Sequence, residues 1–170
     1  SSDELINKES NNIAIAEFNA NSLSAENAVV LSLWTSIYRV IYIANAAMEG
    51  LASSTAVTPQ LKSQLKGEAL FVRAFCYFYL VNFYGDVPLI TSTDYKLNSA
   101  LPRASQQLVY AQIENDLKDA ENLLSPNFLG GDLTHTSGER VRPTKWVAAS
   151  LLARVYLFEK KWADAESQST

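Results

Sequence analysis

Few residues in this chain could do chemistry, and most are poorly placed for it. The only histidine, His135, stands in the stretch SPNFLGGDLTHTSGER with Asp132 and Glu139. A metal site needs three or four convergent ligands, and one imidazole with two carboxylates in a glycine-containing loop falls short of that. The pattern reads as a solvated loop tip. Asp86 and Asp132 could be offered as the paired carboxylates of a glycosidase, but no spacing or shared element joins them. Glu68 and Arg73 are two charges set among bulky apolar residues. They are five positions apart and so do not stack as a helical pair. A buried charge needs a partner, so each is expected to pair with a group on another helix or to cap a loop. Cys76 has no second cysteine to bond with, and its apolar neighbours predict a buried, inert thiol. These residues point to no cofactor and no metal, and a glycosidase remains open as a competing reading that nothing in their spacing supports.

Composition narrows the classes further. A net charge of −4, with the 14 Lys and Arg dispersed, gives no basic footprint for nucleic acid. A hydrophobic fraction of 48% is that of a globular protein and excludes wholesale disorder. No signal or lipidation motif is present in the 170 residues, and the uncharged run from Ala74 to Gly85 is too short to cross a bilayer.

The elements that must position these residues are helical. Residues 1–23 are polar, rich in Asn, Ser and Glu, and read as a lead-in with short apolar pieces at Leu5-Ile6 and Ile13–Phe18. Residues 24–170 read as an all-α scaffold. A helix is expected over Ala25–Met48, with Ser24 as N-cap and Gly50 at its exit. Trp34, Ile37, Tyr38, Ile41, Ala44, Asn45 and Met48 share its inner face. Asn45 on that face is expected to be a buried amide bonded to a neighbouring helix or loop. The central helix spans Leu61–Tyr84. Thr58 caps it, Pro59 takes the first position, Gly85 ends it, and Pro88 prevents its resumption. It is apolar on most sides, so it requires neighbours on several sides, and Phe71, Phe75 and Phe78 are expected in the core. Gly67 would allow close contact with another backbone. Residues 89–102 read as a loop carrying Tyr95. A helix over Gln106–Leu124 follows, capped by Ser105, with Tyr110, Ile113, Leu117, Ala120 and Leu124 inward and a Glu114–Lys118 pair on its charged surface. Pro143 opens a further helix with small residues Ala148, Ala149 and Ala153, and another begins at Trp162. Leu152, Ala153, Tyr156, Trp162 and Ala165 fall at the spacing of a tetratricopeptide-type helix pair, with Lys160 where a turn glycine is usual. The central helix and the Gln106–Leu124 helix would form an earlier pair, giving a stacked α-α superhelix, a right-handed helical array. The short last helix predicts that the chain is a fragment of something longer.

One stretch carries a specific resemblance. Lys66–Ala74, continuing through Tyr77-Phe78 and Leu80 to Tyr84-Gly85-Asp86-Val87-Pro88-Leu89, resembles the hallmark segment of the SusD/RagB family. Ser2-Asp3-Glu4-Leu5 is similar to its early acidic motif. Trp34, Tyr38, Ile41, Ala44 and Asn45 are similar to its W-x3-Y-x2-I-x2-A-N pattern. Pro102-Arg103, Tyr110, Ile113 and Asp116-Leu117, then Arg142, Thr144-Lys145, Ala148-Ala149 and Leu151–Leu157, resemble its following helices.

The resemblance implies a nutrient-binding surface lipoprotein of a Bacteroidetes outer membrane, and not an enzyme. Its ligand would be a glycan or other nutrient, and its partner a TonB-dependent transporter of the SusC/RagA type. Anchoring would be through a lipidated cysteine outside these residues. The chain would be the N-terminal helical portion, with Trp34, Tyr38, Asn45, Glu68, Arg73, Tyr84, Gly85, Asp86 and Pro88 as structural motif residues. One departure matters. Starch-binding members resemble each other in an Arg-Gly-rich stretch with Trp after the acidic motif, and here that place holds Ile6–Asn12. No glycan-binding residue therefore carries over. Phe18 and Asn19 are the nearby candidates for a sugar contact, against the simpler reading of packing and a turn. The competing function is a cytoplasmic tetratricopeptide-like scaffold that binds peptides.

Overall fold

The computed structural model describes residues 11–169, in two compact units that meet within one helix, the first ending at Arg39 and the second beginning at Val40. The acidic motif at Ser2–Leu5 and the apolar pair Leu5-Ile6 lie outside the described residues.

The first unit contains α1 (Ile13–Asn19) and the start of α2 (Ala28–Ser53). Asn12 caps α1 by accepting from Ile15 N. The helix expected to begin at Ala25 begins three residues later, and Ser24 is not its cap. Asn27 takes that role, its Oδ1 accepting from Val29 N at 3.0 Å and Val30 N at 3.3 Å. Ser24 is held instead by Glu17, which accepts from its backbone and its hydroxyl. At the other end α2 passes through Gly50 and continues to Ser53. Gly50 therefore sits inside the helix, where the nearby space is open and a glycine costs only propensity.

The second unit holds the rest of α2, then α3 (Pro59–Tyr84), β1 (Val87–Pro88), α4 (Tyr95–Asn98), β2 (Arg103–Ala104), α5 (Gln106–Leu123), α6 (Lys145–Phe158) and α7 (Trp162–Ser169). Thr58 caps α3 by accepting from Leu61 N, and Gly85 ends it at φ +70°. The expected loop over 89–102 thus includes a short helix capped by Asp94, and β1 pairs antiparallel with β2, Val87 opposite Ala104.

The architecture is all-α and tetratricopeptide-like. Packing runs α3 on α5, α5 on α6, and α6 on α7. The core between them holds Tyr77, Leu80, Ile113, Leu117, Leu152 and Val155, all close to fully buried. Ala148, Ala149 and Ala153 are buried as well, so small side chains let α6 approach its neighbours. Lys160 sits in the α6–α7 turn at φ +62°, the conformation that makes glycine common at such turns. The close contact at Gly67 is with side chains, not backbone: a Cβ there would lie 2.9 Å from Leu124 Cγ and 3.1 Å from Leu123 Cβ.

One expectation about the core needs correction. Phe78 is buried, but Phe71 is only partly so and Phe75 is 44% exposed. The described helices cover α3 on the α5 side and leave the Phe75 side open. By length and composition α2 could cross a membrane; in this structure its Ile41, Ala44 and Asn45 are buried in the second unit, and Asn45 is the buried, hydrogen-bonded amide that was expected.

Candidate functional site

The most organised polar constellation is built on Arg73, at the middle of α3. Its Nε and Nη2 donate to the two carboxylate oxygens of Asp116 on α5, both at 2.7 Å. Its Nη1 donates to Asn45 Oδ1 on α2 at 2.8 Å. Gln112, one turn earlier on α5, donates to Asp116 Oδ1 at 2.8 Å. The bidentate fork satisfies a charge that is 7% exposed, and one residue ties three helices together. Asp116 is the partner that sequence reasoning missed. The spacing hints at its burial, since Asp116 is one turn from Gln112 and adjoins the inward Leu117, but says nothing of its pairing with Arg73.

From this hub the network reaches a strap formed by residues 89–98. Asn45 Nδ2 donates to Ile90 O at 3.1 Å. The Tyr77 hydroxyl donates to Ile90 O at 2.9 Å and accepts from Ile90 N at 2.6 Å, so a side chain satisfies one residue's whole backbone. Burial pushes the Tyr77 hydroxyl well above the ordinary tyrosine range. Glu49 accepts from Thr93 N at 2.8 Å and from the Thr93 hydroxyl, which together hold its carboxyl below its usual range. On this strap Tyr95 is exposed and does not tuck against the bundle.

The Tyr84–Pro88 segment is a junction. Gly85 N still donates to Val81 O, while its positive φ turns the chain away. Asp86 Oδ1 accepts from Gln106 N at 3.0 Å, placing a carboxylate at the N-terminus of α5, where negative charge is favoured. Arg103 Nη1 donates to Asp86 O at 2.6 Å. Val87 is fully buried and Pro88 pairs in the short sheet. Each residue of the motif thus ends α3, starts α5 or joins the two.

Glu68 organises the far end of α3. It accepts from Arg142 Nη1 at 2.7 Å and from Gln64 Nε2 at 3.0 Å, and Gln64 Oε1 accepts from Ser125 N at 2.9 Å. Glu68 and Gln64, bonded to each other, therefore hold the two ends of the long 125–143 connection, Glu68 at Arg142 and Gln64 at Ser125. The charged surface expected on α5 is only partly solvated. Burial works against the Glu114 carboxylate, and Lys161 with Lys118 outweighs it, holding its pKa below the ordinary value. Glu159 shifts the opposite way, through its own burial and then through Glu114 beside it.

The remaining candidates stay apart. Phe18 and Asn19 lie at the end of α1 in the first unit, Phe18 39% exposed and Asn19 exposed, and Trp34 packs against Tyr38 at 4.9 Å between ring centroids. His135 is exposed and hydrogen-bonded to Asp132, which also accepts from Thr134 N and His135 N. These bonds, the histidine first, hold the Asp132 carboxyl far below its usual range. Asp86 and Asp132 are each used locally, one as a helix cap and one in a loop turn. Cys76 is buried, and burial raises its thiol to about 11, too high for a useful thiolate. What the arrangement can do is hold shape: its charges fix helices and loops to one another.

Comparison with known proteins agrees in family and in fold. Residues 2–157 match the SusD-like family described as starch-binding and associating with the outer membrane. A SusD-like protein of Formosa agariphila is 27% identical over 152 residues, covering 89% of this chain and 27% of that protein. A laminarin-binding SusD-like protein of known structure superposes with a TM-score of 0.83 at 26% identity, over 95% of this chain and 33% of that one. A structure solved with xylogluco-oligosaccharide superposes with a TM-score of 0.70 at 27% identity, over 83% of this chain and 26% of that one. The chain spans no more than a third of the length of each relative.

Proposed function

Because the chain belongs to the SusD-like family, we propose that it is the N-terminal helical portion of a longer glycan-binding protein of the outer-membrane surface. In this reading the whole protein is lipid-anchored and works with a TonB-dependent transporter of the SusC/RagA type. It captures oligosaccharide and passes it on without cleaving it. The observation that carries the reading is the family match over residues 2–157, joined to the superposition on a laminarin-binding relative.

The geometry supports a division of labour. The Arg73 hub, the Glu68 clasp and the Asp86 junction are all consumed in fixing helices, which suits a scaffold. Carboxylates spent in that way are not available as a general acid and nucleophile. The portion's role is to hold the strap and helix surfaces in fixed positions for the transporter and for the rest of the protein. An exposed aromatic can stack on a pyranose ring, and Phe18 with the adjacent Asn19 amide is the pair we assign to a peripheral sugar contact.

The test is recovery of the tagged whole gene product from native membranes. Co-purification of a TonB-dependent transporter from the outer-membrane fraction is expected. Recovery from the cytosolic fraction without such a transporter would overturn the proposal and favour a peptide-binding helical scaffold.

A further inference from the structure

A cavity of about 340 Å³ lies between the start of α3, the end of α5 and the chain that follows α5. Small-molecule sites run from about 300 to 1,000 Å³, so this one suits a small ligand. Leu123 and Leu124 line it from α5, and α3 holds them in place: a Cβ at Gly67 would meet both. Leu129 and Leu133 line it from a tight turn closed by the Leu129–Thr136 bridge and by Gly130 N donating to His135 O at 2.9 Å. Asp132 accepts from Thr134 N and His135 N, both at 3.1 Å, and also bonds the His135 ring. These bonds hold Leu133 at φ +60°, an uncommon conformation for leucine. The Asp132–His135 pair thus fixes the turn that carries Leu133 to the cavity. The polar lining is unused, unlike that of Arg73 or Glu68. Gln60 and Ser63 stand one turn apart on α3, and neither side chain has a hydrogen-bond partner among the described residues. The Ser125 hydroxyl accepts from Asn127 N and keeps its own hydrogen free. Gln64, buried on the same helix, uses one of its two amide hydrogens, on Glu68.

We propose that this cavity is a subsite for one neutral sugar ring. A primary amide presents a donor and an acceptor side by side, and a hydroxyl can serve as either. Gln60 with Ser63 therefore matches the neighbouring hydroxyls of a pyranose, each of which also donates and accepts. The leucine walls match the ring's C–H face, since a small-ligand site joins apolar walls to a few placed polar groups. A phosphate or carboxylate would call for Arg or Lys, and neither lines the cavity. The choice of a sugar among neutral polyols rests on the glycan-binding reading, while the site itself rests on its lining. It shares no residue with the Phe18-Asn19 pair.

The test is alkylation by iodoacetamide of the whole gene product carrying Leu129→Cys, with reaction at residue 129 read by peptide mass spectrometry. Leu129 lines the cavity without offering a polar side chain, so a thiol there reports occupancy and leaves the proposed hydrogen bonds intact. The probes are D-glucose, D-galactose and D-xylose, with D-glucuronate as the charged counterpart. At least one neutral sugar should protect saturably, with half-protection at about 1–10 mM, as befits a ligand of so few atoms. Gln60→Ala and Ser63→Ala, each added separately, should raise that concentration at least about fivefold. Alanine is favoured at both helical positions, so the fold should be kept. No protection by any of the three neutral sugars would overturn the inference. So would protection unchanged by both substitutions, or equal protection by glucuronate. Protection in a gene product that binds none of laminarin, xyloglucan oligosaccharides and starch sinks the glycan-uptake reading alone. Binding of one of these without protection at residue 129 sinks this inference alone.

Discussion

Arg73 is a charge placed at the centre of an otherwise apolar packing, and its cost is met by geometry. A bidentate fork to Asp116 and a third bond to Asn45 leave the guanidinium well satisfied. Arg73→Met should therefore destabilise the protein by about 3–5 kcal/mol, because it strands the Asp116 carboxylate. Adding Asp116→Leu should recover a large part of that loss, and a double-mutant cycle in urea measures the coupling. Need for a partner was legible at Arg73 from its apolar neighbours. The identity of the partner was not, because Asp116 lies 43 residues away and nothing local says which helix packs against Arg73. A second prediction concerns pH. Glu114 has a folded pKa depressed below 4.5, so its contribution is present above that value and is lost as pH falls through the folded value. Lys118 and Lys161 have folded pKa values raised above 10.5 by Glu114, so theirs is present below 10.5 and lost as pH rises through the folded values. Glu159, raised by burial, offsets part of the acid loss. The α5 to α6–α7 contact should therefore weaken at both extremes. Glu114→Gln should flatten the acid limb of thermal stability below about pH 4.5, and an unchanged limb would refute the assignment.

At the scale of the element, α3 separates what periodicity can reveal from what it cannot. Its caps, its span and the inward set of α5 follow from Thr58, Pro59, Gly85 and Ser105, whose chemistry is local. Which sides of an all-round apolar helix are covered is not local, and Phe75 was misplaced for that reason. In the 170-residue protein Phe78→Ala should cost about 3–5 kcal/mol, while Phe75→Ala should cost at most about 1 kcal/mol, checked by chemical denaturation. Gly67→Ala gains about 1 kcal/mol of helix propensity but drives a methyl against Leu124 and Leu123, an overpacking cost of about 1–3 kcal/mol. A net loss of stability is expected, and a gain would show that the α3–α5 contact is looser than described. The start of α2 was misread for a related reason: Ser24 and Asn27 are both good caps, and only the position of Glu17 decides between them.

For the whole molecule, the family was readable because Tyr84–Pro88 encodes a junction in contiguous residues. The ligand was not, because sugar sites are made by side chains converging from distant segments, and the one local candidate, Phe18-Asn19, shares no element with the others. The most direct measurement of the central claim is titration calorimetry of the whole gene product against laminarin, xyloglucan oligosaccharides and starch, with chromatography of each glycan afterwards. The account predicts saturable binding of at least one glycan, recovered uncut. Absence of binding to every glycan in the panel, or shortening of the bound one, would contradict it.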